Sequence, residues 1–142
     1  MFSKVHVSLY KLTGGRIGGR IRRAPVLLLT TGRKSLRERT IPPLYLEDHE
    51  NLVVVASYGG RDKDPAWYLN LRHNPEARIR IRRETRMVKA KVATPSEKDR
   101  LWPLVTGIYP QYEEYQRKTK REIPLVILAP MENAHAEADQ AA

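Results

Sequence analysis

Three short stretches of this chain carry groups able to do chemistry. The first is the turn Gly32-Arg33-Lys34-Ser35, with Arg37 and Arg39 close behind it. Glycine permits the turn, two adjacent cations project outward, and the Ser35 hydroxyl can donate. Such a set holds phosphate or carboxylate by charge-assisted hydrogen bonds; the plain alternative is a solvated basic loop. It is not a nucleotide P-loop, because GxxxxGK[ST] is absent. The second stretch is LVVVASYGGRDKDPAWYLNL, Leu52 to Leu71. Leu52 to Ala56 reads as a buried strand that Ser57 and Tyr58 close and Gly59-Gly60 breaks, letting the backbone come near another molecule. Asp64 stands where an N-cap would be, Pro65 at the first helical position, and Ala66 to Leu71 reads as a short helix. A strand end, exposed backbone amides and an aromatic-bearing helix suit a flat, partly anionic ligand. The third is the triplet Tyr109, Tyr112 and Tyr115. These residues either wall a pocket with rings and hydroxyl donors or pack as the apolar face of a helix.

The elements that must position these groups follow from the rest of the chain. At 142 residues, 41% hydrophobic and 30% charged, it is long enough to bury a core of its own. It has no cysteine, hence neither a disulfide framework nor a thiolate metal site, and no apolar run of transmembrane length. The first residues lack a secretory hydrophobic region. Together these point to a cytoplasmic protein. The net charge of +10 implies an anionic partner. Nucleic acid is disfavoured, because the aromatics do not interleave with the basic strands as a stacking platform requires.

Residues 1–23 read as an amphipathic helix (Phe2, Val5, Leu9, Leu12) with a basic, glycine-rich connector. It either covers one end of the core or makes a peripheral contact with anionic lipid. A strand follows over Val26 to Thr31, then another over Thr40 to Glu47, with a bulge or edge at Pro42-Pro43. After the short helix, Ala77, Ile79 and Ile81 alternate with arginines, and Val88, Ala90 and Val92 with lysines, which predicts a hairpin with one wet face. Thr94-Pro95-Ser96-Glu97 is a capping box opening a helix to about Val105. A break at Gly107 to Pro110, a second short helix and a last strand, Leu125 to Leu128, complete the fold. The order predicts an α+β barrel of about six mostly antiparallel strands with flanking helices. The domain is assigned to residues 24–130, followed by a disordered tail over 131–142.

The set TTGRKS (Thr30 to Ser35), Arg39-Thr40, VVVASYGG (Val53 to Gly60), DPAWYLNL (Asp64 to Leu71), NPEARI (Asn74 to Ile79), YPQYEEYQ (Tyr109 to Gln116) and IPLVILAP (Ile123 to Pro130) resembles the deazaflavin (F420)-dependent nitroreductase family. That family comprises F420H2-dependent quinone reductases and nitroreductases. The resemblance runs collinearly over residues 24 to 130. It implies a split β-barrel of the flavin-binding kind, with reduced coenzyme F420 rather than FMN as hydride donor. It further implies that Arg33, Lys34, Ser35 and Arg39 hold the phosphate and polyglutamate tail. Val55, Ala56, Ser57, Tyr58, Gly59 and Gly60 would lie along the deazaflavin ring. Pro65, Trp67, Tyr68, Asn70 and Leu71 would close over the ring and ribityl chain. Tyr109, Tyr112 and Tyr115 match the family's substrate-pocket tyrosines, and Ser57 a serine that hydrogen-bonds the substrate. Many members have glycine after GRKS where this chain has Leu36. The implied acceptors are quinones, enones and nitro compounds, with no metal. A non-catalytic F420 carrier of the same fold and a basic nucleic-acid module are the alternatives.

Overall fold

The computed structural model describes residues 20–21, 24–32 and 38–131. The amphipathic start, the residues Arg33, Lys34 and Ser35, and the tail beyond residue 131 lie outside the described residues.

Two residue pairs, β1 (Arg20–Ile21) and β2 (Ala24–Pro25), form a small antiparallel ladder of their own. The main sheet contains β3 (Leu28–Thr31), β4 (Arg39–Ile41), β5 (Leu46–Asp48), β6 (Asn51–Val55), β7 (Glu76–Ile81), β8 (Glu84–Val92) and β9 (Leu125–Pro130). Their spatial order is β4-β3-β7-β8-β9-β6-β5, and every pairing is antiparallel. Among the described residues three helices accompany the sheet: α1 (Ala66–His73), α2 (Pro95–Ile108) and α3 (Gln111–Lys118).

The sequence predicts about six strands, and the sheet has seven. The difference lies in TIPPLYLE, which reads as one strand but forms two. Pro42 and Pro43 offer no ladder donors, so β4 stops at Ile41 and β5 starts afresh at Leu46. These two strands occupy opposite edges of the sheet. Ile41 and Leu46 are five Cα steps apart, each spanning at most about 3.6 Å. Flat strands at roughly 4.8 Å spacing would leave the two edges six such spacings apart. The sheet must therefore curl. The crossing segment is itself pinned, since Val26 bridges Leu44 and the Leu27 N–H donates to the Pro43 carbonyl at 3.2 Å.

Curling creates an inner and an outer face, and the chain fills both. Leu52, Val54 and Ala56 from the β6 end, Val126 and Leu128 of β9, and Trp67, Tyr68 and Leu71 of α1 form one core. Val53, Val55, Leu125 and Ile127 point the other way, against Leu101 and Val105 of α2 and Tyr112 of α3. This is why β6 and β9 are continuous apolar runs whereas β7 alternates, burying Ala77 and Ile79 and exposing Arg78. Val92, predicted on the buried face of the hairpin, is 45% exposed at the end of β8.

The helix boundaries show which local signals dominated. At α2 the capping box forms as predicted: the Glu97 N–H donates to Thr94 Oγ1 at 3.2 Å, and the Thr94 N–H to Glu97 Oε1 at 3.0 Å. The backbone donor from Thr94 holds the Glu97 carboxyl below its usual range. The helix then runs through Gly107 to Ile108, further than predicted. Its stop is Tyr109, which precedes Pro110 and so is excluded from helical geometry. A bidentate pair, Arg100 to Asp48 at 3.0 and 2.7 Å, ties α2 to the β5 edge and holds the Asp48 carboxyl below its ordinary value. At α1 the cap is Pro65, not Asp64, and the helix continues to His73.

Thr94→Ala should lower the unfolding free energy by about 0.5–2 kcal/mol, read as a lower urea midpoint at unchanged slope. Gly107→Ala, with nothing within 4 Å of the added methyl, should raise it by about 0.5–1 kcal/mol. A destabilised Gly107→Ala variant would refute the helical assignment there.

Candidate active site

A single cleft of about 560 Å³ gathers most of the side chains singled out above. One wall is the crossing segment from Arg39 to Leu44, forced over the sheet's open edge. The end of β6, Val55, and the loop Ser57 to Arg61 form the floor. Trp67, near the start of α1, and the three tyrosines complete the enclosure.

The floor is an unusual piece of backbone. Tyr58, Gly59 and Gly60 form a 3-10 turn with positive φ at all three residues, 47°, 63° and 81°. For Tyr58 this left-handed conformation is strained, and the surroundings must hold it. Gly60 has no alternative: a Cβ there would lie 2.8 Å from the Tyr115 carbonyl oxygen. The Gly60 N–H donates to the Ser57 carbonyl at 2.9 Å and the Arg61 N–H to that of Tyr58 at 3.2 Å. Arg61, which the sequence reading leaves as loop, stacks its guanidinium 4.7 Å from the centre of the Tyr58 ring and donates to its hydroxyl at 3.2 Å. It thereby places a cation beside the turn.

The tyrosines resolve as both wall and packing. Tyr112 is buried in the outer core, while Tyr109 and Tyr115 are half-buried. The Tyr109 and Tyr112 ring centres are 5.0 Å apart at 70°, an edge-to-face contact. The hydroxyls of Tyr109 and Tyr115 lie 3.4 Å apart, a long hydrogen bond in which either can donate. Burial, reinforced by its two tyrosine neighbours, pushes the Tyr112 hydroxyl well above its ordinary value, so it stays neutral.

Of the predicted site residues, Arg39, Val55, Ser57, Tyr58, Gly59, Pro65, Trp67, Tyr109, Tyr112 and Tyr115 line the cleft. Five others do not. Ala56 continues the inward alternation of Leu52 and Val54 and is fully buried in the inner core. Tyr68 and Leu71 lie on the core face of α1. Asn70 is buried and donates to Thr31 Oγ1 at 3.2 Å. Gly60 is packed against α3. Sequence reasoning missed Arg61 and the apolar wall Ile41 to Leu44, whose signal was the tandem proline. It also missed Arg121, which no local pattern marks. Asp64, read as a cap, instead accepts from Arg121 Nη1 at 3.0 Å.

The cleft's chemistry fits a deazaflavin. Val55, Pro42, Pro43 and Trp67 offer apolar surface to a flat ring system, Gly59 leaves open space above the turn, and the exposed Arg39 brings positive charge to the wall. Among the described residues no cluster of three or more His, Asp or Glu stands ready for a metal ion, and no helix is long and apolar enough to cross a membrane.

The curled antiparallel sheet with flanking helices is a split-barrel fold. Residues 2–130 match the F420H2-dependent quinone reductase family, and the chain belongs to it. An F420H2-dependent quinone reductase of Mycobacterium tuberculosis (strain H37Rv) is 40% identical over 130 residues, 88% of this chain and 87% of that protein. The solved structure of an F420-H2 dependent reductase, FDR-A, is similar at 35% identity with a TM-score of 0.68, covering 73% of this chain and 93% of that one. At 13% identity, the heme storage protein HutZ of Vibrio cholerae shares the fold alone, with a TM-score of 0.59 and coverage of 94% and 93%. The chain is therefore an oxidoreductase of the F420H2-dependent class, with coenzyme F420 as its cofactor.

Because the folded state keeps the Tyr112 proton above the value at which the unfolded chain releases it, stability is full below about pH 10 and falls as pH rises beyond it. Urea unfolding between pH 8 and 11 should show this slope in the wild type and a flatter one in Tyr112→Phe. Identical slopes would show that the hydroxyl is not held neutral by the fold.

Proposed function

We propose that the cleft is where coenzyme F420 and an acceptor meet, with this chain's residues in the following roles. Val55, Ser57 and the turn at Tyr58 and Gly59 lie along the deazaflavin, with Trp67 and the proline pair flanking it. Arg39, together with Arg33, Lys34 and Ser35, takes the anionic tail. When bound, the reduced deazaflavin supplies a hydride to the acceptor. Ser57 donates a hydrogen bond to the acceptor oxygen, and the Tyr109–Tyr115 pair supplies a second donor and the proton that a reduced carbonyl oxygen must gain. Tyr112, kept neutral by burial, forms the back of the acceptor pocket and excludes water. The carrying observation is that Ser57, the Tyr109–Tyr115 hydroxyl pair and Arg39 line one cleft. Quinones fit the family's name; by the same chemistry we extend the acceptors to enones and nitro compounds, whose oxygens also accumulate negative charge on reduction.

Fluorescence titration should give far tighter binding for F420 than for FMN, whose single phosphate needs less positive charge; comparable affinities would sink the cofactor assignment. With menadione and a nitroimidazole as acceptors, Tyr→Phe at 109, 112 and 115 should leave F420 affinity unchanged. Turnover should fall on the order of 10- to 1000-fold at the position that supplies the donor. Full activity in all three Phe variants and in the matching Ala variants would reduce the tyrosines to packing residues.

Residues 1–23, with six basic side chains and no acidic one, suit a peripheral contact with anionic lipid. A truncation beginning at Ala24 should lose co-sedimentation with anionic vesicles and keep cofactor binding. Loss of folding instead would make this segment part of the core.

A further inference from the structure

We propose that Arg121 is a positioning residue that sets the backbone of Ser57 and locks the cleft floor to the tyrosine wall. It lies after α3, outside the cleft lining. Its guanidinium makes four contacts with the floor loop. Nη1 donates to the Ala56 carbonyl at 3.2 Å and to Asp64 Oδ1 at 3.0 Å. Nη2 donates to the Ser57 carbonyl at 2.9 Å, and Nε to the Arg61 carbonyl at 3.1 Å. The carbonyls of Ala56 and Ser57 belong to the two peptide planes that flank Ser57. One rigid group therefore fixes both planes, and with them the φ and ψ of Ser57, −76° and −33°. These angles set the direction of the Cα–Cβ bond that carries the Ser57 hydroxyl, leaving χ1 as its one remaining rotation. The Ala56 N–H is held from the same strand approach, by the Pro124 carbonyl at 2.9 Å.

The loop needs such a hold. It leaves the sheet at Val55, so its carbonyls lack strand partners, and it then passes through the three left-handed residues Tyr58, Gly59 and Gly60. Strained backbone persists only where surrounding contacts over-determine it. Arg121 is suited to the task because it is largely screened from water, with its side chain 13% exposed, and its charge is matched by Asp64. A lysine ammonium is a point donor and cannot reproduce a planar fork addressing three carbonyls and a carboxylate.

The segment that carries Arg121 is itself anchored to α3. Gln116 Nε2 donates to the Arg121 carbonyl at 2.8 Å, and Gln116 Oε1 accepts from the Ile123 N–H at 3.0 Å. The buried Thr119 donates to Asp62 at 2.7 Å and accepts from the Arg121 N–H at 3.1 Å. Tyr112 and Tyr115 are on that same helix, and the Tyr115 backbone abuts Gly60. The spacing between the Ser57 donor and the tyrosine donors is therefore set through Arg121. This inference rests on the site roles proposed above.

The test compares wild type, Arg121→Lys, Arg121→Gln and Asp64→Asn, with the exposed Arg117→Gln as control. Hydrogen exchange of the F420-free protein, read by mass spectrometry, should accelerate at least tenfold in the peptide spanning residues 57–64, whose Gly60 and Arg61 amides report the turn. Peptides from β7, β8 and β9 should be unaffected. F420 affinity should change less than threefold, while kcat for menadione should fall 10- to 100-fold in Arg121→Lys, and by less in Asp64→Asn. The kcat loss should largely vanish when Arg121→Lys is made in a Ser57→Ala background. An equal loss with and without Ser57 would overturn the proposal, as would exchange that accelerates throughout the molecule or leaves residues 57–64 unchanged. Should the lysine and glutamine variants not fold, Asp64→Asn decides the same points. A wild-type protein that reduces no quinone would end the proposed site roles, yet the exchange data would still tell whether Arg121 holds the turn.

Discussion

The geometry of the site depends on a short link. Residues 42–45 join strands at opposite edges of a seven-stranded sheet, and a link of that length can be satisfied only by curling the sheet until its edges approach. Proline at 42 and 43 makes the link stiff and prevents it from adding to either edge. Residues 42–44 of the link then form an apolar cleft wall, so closure of the barrel and formation of the pocket are one event. An insertion here would relax the curl and widen the cleft together.

The curl divides the burial of β6 and β9 between two cores, and this in turn decides what the end of β6 can present. Side chains of odd number, Val53 and Val55, face the outer core with α2 and α3; those of even number face inward. Ser57 continues the odd series just past the strand, which brings it to the side where the α3 tyrosines stand. Any slip by one residue would turn the hydroxyl toward the inner core. The register of β6 against β9, with Val55 opposite Leu125, is thus as important to the site as any polar contact in it.

Much of this could be read from the chain. Continuous apolar runs marked the doubly buried strands, period two marked the hairpin, and Thr94 to Glu97 marked a helix start that the structure reproduces bond for bond. The glycine pair announced a turn, while the tyrosine spacing left wall and packing open, and the three residues serve as both. What could not be read was longer in range. Nothing local tells whether TIPPLYLE is one strand with a bulge or two strands on different edges; only the partners decide. Asp64 satisfies the pattern of a cap, but a half-buried guanidinium arriving from residue 121 has the stronger demand for it. Ala56, Tyr68, Asn70 and Leu71 share the floor and lid segments, yet strand alternation and helix phase turn their side chains into the core or onto β3. Arg121 sits in a run of basic residues, Lys118, Lys120 and Arg121, that looks solvated, and its role is set by three carbonyls sixty residues away in sequence.

The strand order has a consequence for biosynthesis. Among the described elements β9 comes last in sequence, yet it stands inside the sheet, between β8 and β6. Without it the sheet falls into two parts that no strand pairing joins, β4-β3-β7-β8 and β6-β5, each exposing an unpaired edge. A nascent chain has all the residues of both parts before it has the strand that joins them. Completion of the barrel therefore waits for residues 125–130 to emerge from the ribosome, and until then two open edges are presented to other chains. Those edges stay open for longer than in a fold whose last-made strand merely adds to a border.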